Sequence, residues 1–199
     1  MSYKAGQYLK IAYPHGEFMP FSIANSPTGS NEIELHIRVA PDDLDTEQFI
    51  ELAATTKQVL ITGPFGDCAY PKENSRPLII LAAGTGFAPA KAIIEKIIEM
   101  KDVTRECHLY WSVKQSVDFY LPDMPKIWQN ALINFHYVPI ITRSEKLPKT
   151  TMLEAVLRDI GNFSLYDVYV FGPHALALNT LQLLSERGLK KETLFTDVL

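Results

Sequence analysis

The stretch LIILAAGTGFAPAKAIIEKI, residues 78–97, decides how the chain is read. Leu78 to Ala82 run apolar without a break, as expected of a strand buried on both faces. Gly84 and Gly86 then form a turn, and Pro89 suits the first turn of a helix, where its missing N–H has no helical partner anyway. A strand, a glycine turn and a helix start let backbone amides approach a phosphate, and the helix end adds partial positive charge. The pattern G-T-G-F-A-P is not the dinucleotide fingerprint, because Pro89 stands where that motif has its last small residue. It is not a Walker loop either, because no Gly-Lys-Ser/Thr follows. Alone, the turn says that an anion can approach here; a tight bend would use the same two glycines.

Downstream the rhythm of strand then helix repeats. PLIILAA, ECHLYWSV, INFHYVPII, DVYVFG and ETLFTDV read as strands, and PAKAIIEKIIEM, TTMLEAVLRDI and HALALNTLQLLSERG as helices. Such alternation predicts a parallel sheet covered by helices on both faces. Ligands of these sheets bind beyond the carboxyl ends of the strands. Three further strand ends carry suggestive residues: Lys114 after Trp111-Ser112-Val113, Phe171-Gly172-Pro173, and Thr196-Asp197.

Upstream the signals are short and extended: GQYLKIAY, MPFSIAN, NEIELHIRV and KQVLITG. In the third, Ile33, Leu35, Ile37 and Val39 alternate with Glu34, His36 and Arg38, the period of a strand buried on one face. SPTGSN reads as a turn. DDLDTEQFIELAATT is the one helical stretch, with Asp and Thr available to cap it. The expected architecture has two domains: a small antiparallel β-barrel or sandwich over residues 1–73, and an α/β domain with a parallel sheet over 74–199. GPFGDCAYPKENSRP is the expected linker.

Composition narrows the function. A formal charge of -4 and the lack of a basic block argue against nucleic acid. No apolar segment approaches the roughly 20 residues of a membrane span, and the N-terminal residues lack a secretory core; a cytoplasmic address is the default. Cys68 and Cys107 form no C-x-x-C pair, and the five histidines show no ligand spacing, so no bound metal is expected.

AGQYL, PFSIAN, IELHIR, GPFG, LAAGTGFAPA, LYWSV with FYL after it, VYVFGP and LFTD occur in one order along nearly the whole chain. In that order they resemble the ferredoxin-NADP reductase superfamily, above all the bacterial NAD(P)H-flavin reductases and their luciferase-associated relatives. The resemblance implies a flavin-binding β-barrel followed by an NAD(P)-binding α/β domain. The implied reaction is hydride transfer from NAD(P)H to riboflavin, FMN or FAD. Pro20, Phe21, Ser22 and Ile23 match the family's Arg-Pro-Tyr/Phe-Ser motif at the flavin ring, with the Ser22 hydroxyl, donor and acceptor at once, near N5. Gly84, Thr85, Gly86 and Pro89 match the loop facing the nucleotide diphosphate. Phe171, Gly172 and Pro173 match the Cys-Gly-Pro segment under the nicotinamide, and Asp197 a terminal Asp nearby. Lys114 falls near the adenosine ribose. A flavin-dependent oxygenase as acceptor, and a homodimer, are compatible with the resemblance.

Departures from the family shape the expectation. Met19 occupies the place of the family's arginine, which pairs with flavin phosphate, and so forfeits charge-assisted hydrogen bonds of roughly 1.5–3 kcal/mol each. DDLDTEQFIELA lacks the Gly-x-x-Ser/Thr clamp over the FAD diphosphate, with Thr46 a partial stand-in. Both changes point to exchangeable flavin held by its ring. The family also places a strand before Gly6-Gln7-Tyr8, so a barrel short of its first strand is expected. Alternatives are a reductase that keeps FAD and feeds a ferredoxin or oxygenase, and a non-catalytic nucleotide-binding remnant.

Overall fold

The computed structural model of the chain describes residues 1–27, 29, 31–70, 75–143 and 151–198. The expected domain boundary at residues 73–74, and part of the SPTGSN turn, lie outside them.

The opening stretch builds the centre of the nucleotide half. Strand β4 (Leu78–Ala83) has five fully buried residues in a row, because helices cover both of its faces. Leu78, Ile80 and Ala82 face a core with Trp111 and Trp128, built under helices α2 (Phe87–Glu99) and α3 (Met124–Ala131). Ile79 and Leu81 face Tyr110, Val156 and Ala177 under α4 (Met152–Asp159) and α5 (His174–Ser185). With β5 (Cys107–Val113), β6 (Phe135–Ile141), β7 (Asp167–Phe171) and β8 (Leu194–Phe195), the strands lie in the order β6-β5-β4-β7-β8, all parallel.

Two elements differ from expectation. Helix α3 is not among the expected helices: it is only eight residues long, although Met124, Ile127, Trp128 and Ala131 keep a helical period and Pro125 and Trp128 are buried. The last strand covers only Leu194–Phe195 of the expected ETLFTDV, because Lys191–Thr193 form a helical turn and β7 offers just Val168 and Tyr169 as partners.

The N-terminal half holds an antiparallel sheet of β1 (Tyr8–Ala12), β2 (Phe18–Ser22) and β3 (Ile61–Phe65) in the order β2-β1-β3. Helix α1 (Leu44–Thr56) is capped as expected, Asp43 Oδ1 accepting from Thr46 N at 3.1 Å. Leu9, Ile11, Tyr13, Ile23 and Phe49 form the core.

Residues 31–39 do not form the expected ladder strand: Ile23 to Leu35 is their one β-bridge among the described residues. The alternation is correct for the face, since Ile33, Leu35 and Ile37 pack on this core, while Val39 is exposed. The ladder fails because the Asn25 side chain takes its bonds: Oδ1 accepts from Glu34 N at 2.9 Å and Nδ2 donates to the Glu32 carbonyl at 3.1 Å. Ala5, Cys68 and Tyr70 join the core under α2, and the Tyr70 amide donates to Ala5 O at 2.8 Å, so the expected linker is packed in at residues 68–70.

At the opposite end of the sheet from the glycine turn, His108 and His136 pair across β5 and β6 with ring centroids 4.5 Å apart. Burial, reinforced by His136, lowers the His108 pKa from 6.5 against the opposing pull of Glu106 and Asp159. The folded state therefore binds the proton less readily than the unfolded chain, and stability falls as pH drops below about 6.5. Urea unfolding between pH 7 and 5 is expected to show that loss, and a His108→Gln variant to flatten it.

Candidate functional site

The parallel sheet has one switch point. From β4 the chain crosses to β5 on one side and later returns to β7 on the other, which opens a crevice at their carboxyl ends. Gly84–Gly86 form a short 3-10 turn leaving β4, and α2 starts at Phe87, so Pro89 lies in its first turn. The Trp111 indole donates to Gly84 O at 3.0 Å and stacks on Phe87 at 3.8 Å, which fixes the turn from behind.

The two glycines have different reasons. Gly84 has φ +56°, and an added Cβ would meet nothing within 4 Å. At Gly86 an added Cβ would lie 2.2 Å from the Phe171 carbonyl oxygen. Gly172 is similar, since its Cβ would lie 2.9 Å from that of Ala83. Gly86 and Gly172 let the ends of β4 and β7 touch; Gly84 leaves the outside of the turn open.

A cavity of about 580 Å³ lies where these turns face the N-terminal sheet. Nine of the expected residues line it: Pro20, Phe21 and Ser22 from β2, Thr85 and Gly86 from the turn, Phe171, Gly172 and Pro173 after β7, and Asp197. An adjoining cavity of about 490 Å³ is lined by Gly84, Thr85, Ile37, Val117 and Tyr120 among others. Ile23 is not in either, being fully buried in the N-terminal core. Pro89 is buried in α2. Lys114 is exposed at the end of β5, outside both cavities, where its carbonyl accepts from Arg143 N at 3.0 Å.

Sequence reasoning missed Tyr8, His36 and Arg38. Tyr8 pairs with Ser22 in register and lines the larger cavity. His36 and Arg38 line both cavities. Their alternation with Ile37 marked them as the solvent face of a strand, but the nucleotide half faces them instead. Arg38 is exposed and has no ion-pair partner among the described residues.

Asp197 ties the two halves together at the cavity rim. Its Oδ1 accepts from Asp67 N at 3.0 Å, and Gly66 lies so close that a Cβ would sit 2.7 Å from Oδ2. The residue is exposed as a whole, yet its carboxylate packs on this loop. Burial raises its pKa, against hydrogen bonds from Asp67 and Cys68. Thr46 is spent elsewhere: it is buried, its hydroxyl 3.0 Å from that of Tyr13, and it lines neither cavity, so it is not placed as a stand-in for a diphosphate clamp there.

The cavity suits a planar heterocycle. Its volume falls in the range of small-molecule sites, its walls include Tyr8, Phe21 and Phe171, and the hydroxyls of Ser22 and Thr85 make no hydrogen bond among the described residues. No group of three or more His, Cys, Asp or Glu placed to hold a metal ion occurs among the described residues. No helix among them is long and apolar enough to cross a membrane.

An antiparallel sheet thus faces the switch point of a parallel one, with a cavity lined from both. Residues 80–181 match the oxidoreductase NAD-binding domain family. A probable flavin reductase of Aliivibrio fischeri is 32% identical over 97% of this chain and 84% of its own length. The CDP-6-deoxy-L-threo-D-glycero-4-hexulose-3-dehydrase reductase of Yersinia pestis is 32% identical over 99% of this chain, which spans only 60% of that protein. In fold, an Amycolatopsis cytochrome P450 reductase superposes with a TM-score of 0.85 at 22% identity, over 98% of this chain and 60% of that one. The chain belongs to the oxidoreductase NAD-binding domain family, which it shares with flavin reductases, and its fold is that of the ferredoxin-NADP reductases.

Proposed function

We propose that the chain transfers hydride from NAD(P)H to an exchangeable flavin in the larger cavity, with residues 1–73 forming the flavin side and 74–199 the nucleotide side. The observation that carries this reading is convergence: Ser22, the Thr85-Gly86 turn, Phe171–Pro173 and Asp197, far apart in sequence, line one space. The bound nucleotide and flavin supply the chemistry, a hydride leaving C4 of the dihydronicotinamide for N5 of the flavin, with a proton from water completing the reduction.

The chain's residues bind, orient and exclude water. Pro20 to Ile23 hold the ring, through β2 backbone and through Ile23 as the buried anchor of that segment. Ser22 meets N5 with a hydroxyl able to donate or accept as the redox state changes. Gly84, Thr85, Gly86 and the helix start at Pro89 receive the diphosphate, and Arg38, facing both cavities, supplies a cation there. Phe171, Gly172 and Pro173 support the nicotinamide. Lys114, beside Arg143, awaits the adenosine end, where a 2'-phosphate would find two cations. Met19 is 38% exposed on β2 and lines neither of these cavities, in keeping with a flavin not gripped by its phosphate at that position.

The test is steady-state oxidation of NADH and NADPH crossed with riboflavin, FMN and FAD; no flavin-stimulated rate with either donor sinks the reading. Ser22→Ala is expected to slow the reaction roughly tenfold, the worth of one hydrogen bond of about 1.4 kcal/mol, with little change in nucleotide KM. The likeness to a dehydrase reductase, to a terephthalate 1,2-dioxygenase reductase component and to a P450 reductase favours a second reading, a chain that passes electrons to a partner such as an oxygenase. Flavin retained stoichiometrically through purification would support it over the first.

A further inference from the structure

Lys91 lies in the second turn of α2 and lines neither cavity, yet its side chain is only 8% exposed. Its ammonium donates to Glu34 Oε2 at 2.8 Å, to Glu95 Oε1 at 2.8 Å and to the Ala24 carbonyl at 3.2 Å. These partners use all three donors of the group. Burial opposes its charge, but the hydrogen bonds with Glu34 and Glu95 outweigh that and raise its pKa.

The partners are placed to matter. Ala24 follows Ser22 by two residues, and Glu34 precedes His36 by two and Arg38 by four. Glu34 Oε1 meets His36 Nε2 at 2.8 Å, and His36 Nδ1 meets the Tyr120 hydroxyl at 2.8 Å. Alongside, Ser26 Oγ donates to Glu99 at 2.6 Å. Two of the N-terminal segments that line the larger cavity, those bearing Ser22 and Arg38, are thus tied to the helix that begins at the glycine turn. An apolar side chain of similar size would serve stability as well, since buried ion pairs often gain nothing over hydrophobic packing. What an ammonium with three fixed acceptors adds is direction.

We propose that Lys91 is a positioning residue: without touching either ligand, it sets how the segments bearing Ser22 and Arg38 stand against the Gly84–Gly86 turn. This rests on the larger cavity being the site of hydride transfer. Misplacement of reacting groups by as little as about 1 Å can slow a reaction roughly a hundredfold.

The test compares Lys91→Met, Lys91→Arg and Glu34→Gln with the unaltered protein. Readouts are anaerobic stopped-flow transfer from C4-deuterated and unlabelled NADPH, separate Kd values for riboflavin and NADP+, and amide hydrogen exchange over residues 34–38. Lys91→Met is expected to slow transfer at least roughly tenfold, to leave each Kd within about threefold, and to speed exchange of the 34–38 amides. Lys91→Arg should recover part of the rate. Transfer at the unaltered rate with unchanged exchange overturns the proposal. If Lys91→Met does not fold, Glu34→Gln decides by the same measurements. Should the unaltered protein transfer no hydride, the proposed function fails, and unchanged 34–38 exchange in Lys91→Met or Glu34→Gln separately overturns the tie itself.

Discussion

Gly86→Ala is expected to cost at least about 3 kcal/mol, whereas Gly84→Ala, two residues away in the same turn, costs about 1–2 kcal/mol. The reasons differ in kind. At Gly86 the backbone is ordinary, φ -58°, but the new methyl would lie 2.2 Å from Phe171 O and 2.8 Å from its carbonyl carbon. Those are main-chain atoms at the end of β7, held by β4 along five paired residues, so neither side can yield cheaply. At Gly84 the space is open and the penalty is the left-handed backbone alone. Urea unfolding of the two variants measures the difference, and equal losses would refute this account. Binding should rank the opposite way among folded proteins. The Gly84→Ala methyl projects into the open space where the diphosphate is proposed to lie, so NADP+ affinity should fall roughly tenfold, the cost of one displaced good contact.

That contrast marks where reading the sequence stops. A strand, a turn and a helix were legible in residues 78–97 because a two-sided burial leaves an unbroken apolar run and proline marks a helix start. The division of labour between Gly84 and Gly86 was not, because it depends on Phe171, brought in by the sheet from a distant strand. The same holds for Glu34, His36 and Arg38. Their alternation with Ile33, Leu35 and Ile37 identified the core face correctly, but period alone cannot tell a face turned to water from one turned to another domain. Whether residues 31–39 form a ladder was also a matter of two segments, and the Asn25 side chain decided it. Helix α3 escaped because it has only eight residues, too few for its Met124, Ile127, Trp128 and Ala131 period to stand out from the loops around it. Ser22, Phe171 and Asp197 were found through ordered motifs; nothing in their own neighbourhoods would have put them in one cavity.

The stability of this site is set at the other end of the sheet, and Arg76 is where to disturb it. Asp167 opens β7 with its carboxylate 2% exposed, and Arg76 Nε donates to it at 2.8 Å. The same guanidinium donates to Ser164 O at 2.7 Å and Tyr166 O at 2.9 Å, while Asp167 N donates to Pro77 O at 2.9 Å. One side chain thus fastens the entry of β4 to the entry of β7, the two strands whose far ends make the crevice. Removing one partner of a buried pair costs about 3–5 kcal/mol, because a charge stays in a place built for its counter-ion. Arg76→Met should reach that range, since it strips the guanidinium from a carboxylate that water scarcely reaches. Asp167→Ala should cost less, because Arg76 is 29% exposed and keeps its two carbonyls. For a chain of this size each kcal/mol moves Tm by about 2–4 °C, so Arg76→Met is expected to melt roughly 6–20 °C early. Well below that Tm its KM values should match those of the unaltered protein, because β4 and β7 stay in register through their paired residues. A large KM change in folded Arg76→Met would mean that the crevice is tuned from the base of the sheet, and a Tm loss equal to that of Asp167→Ala would mean that burial of the carboxylate is not what makes the arginine matter.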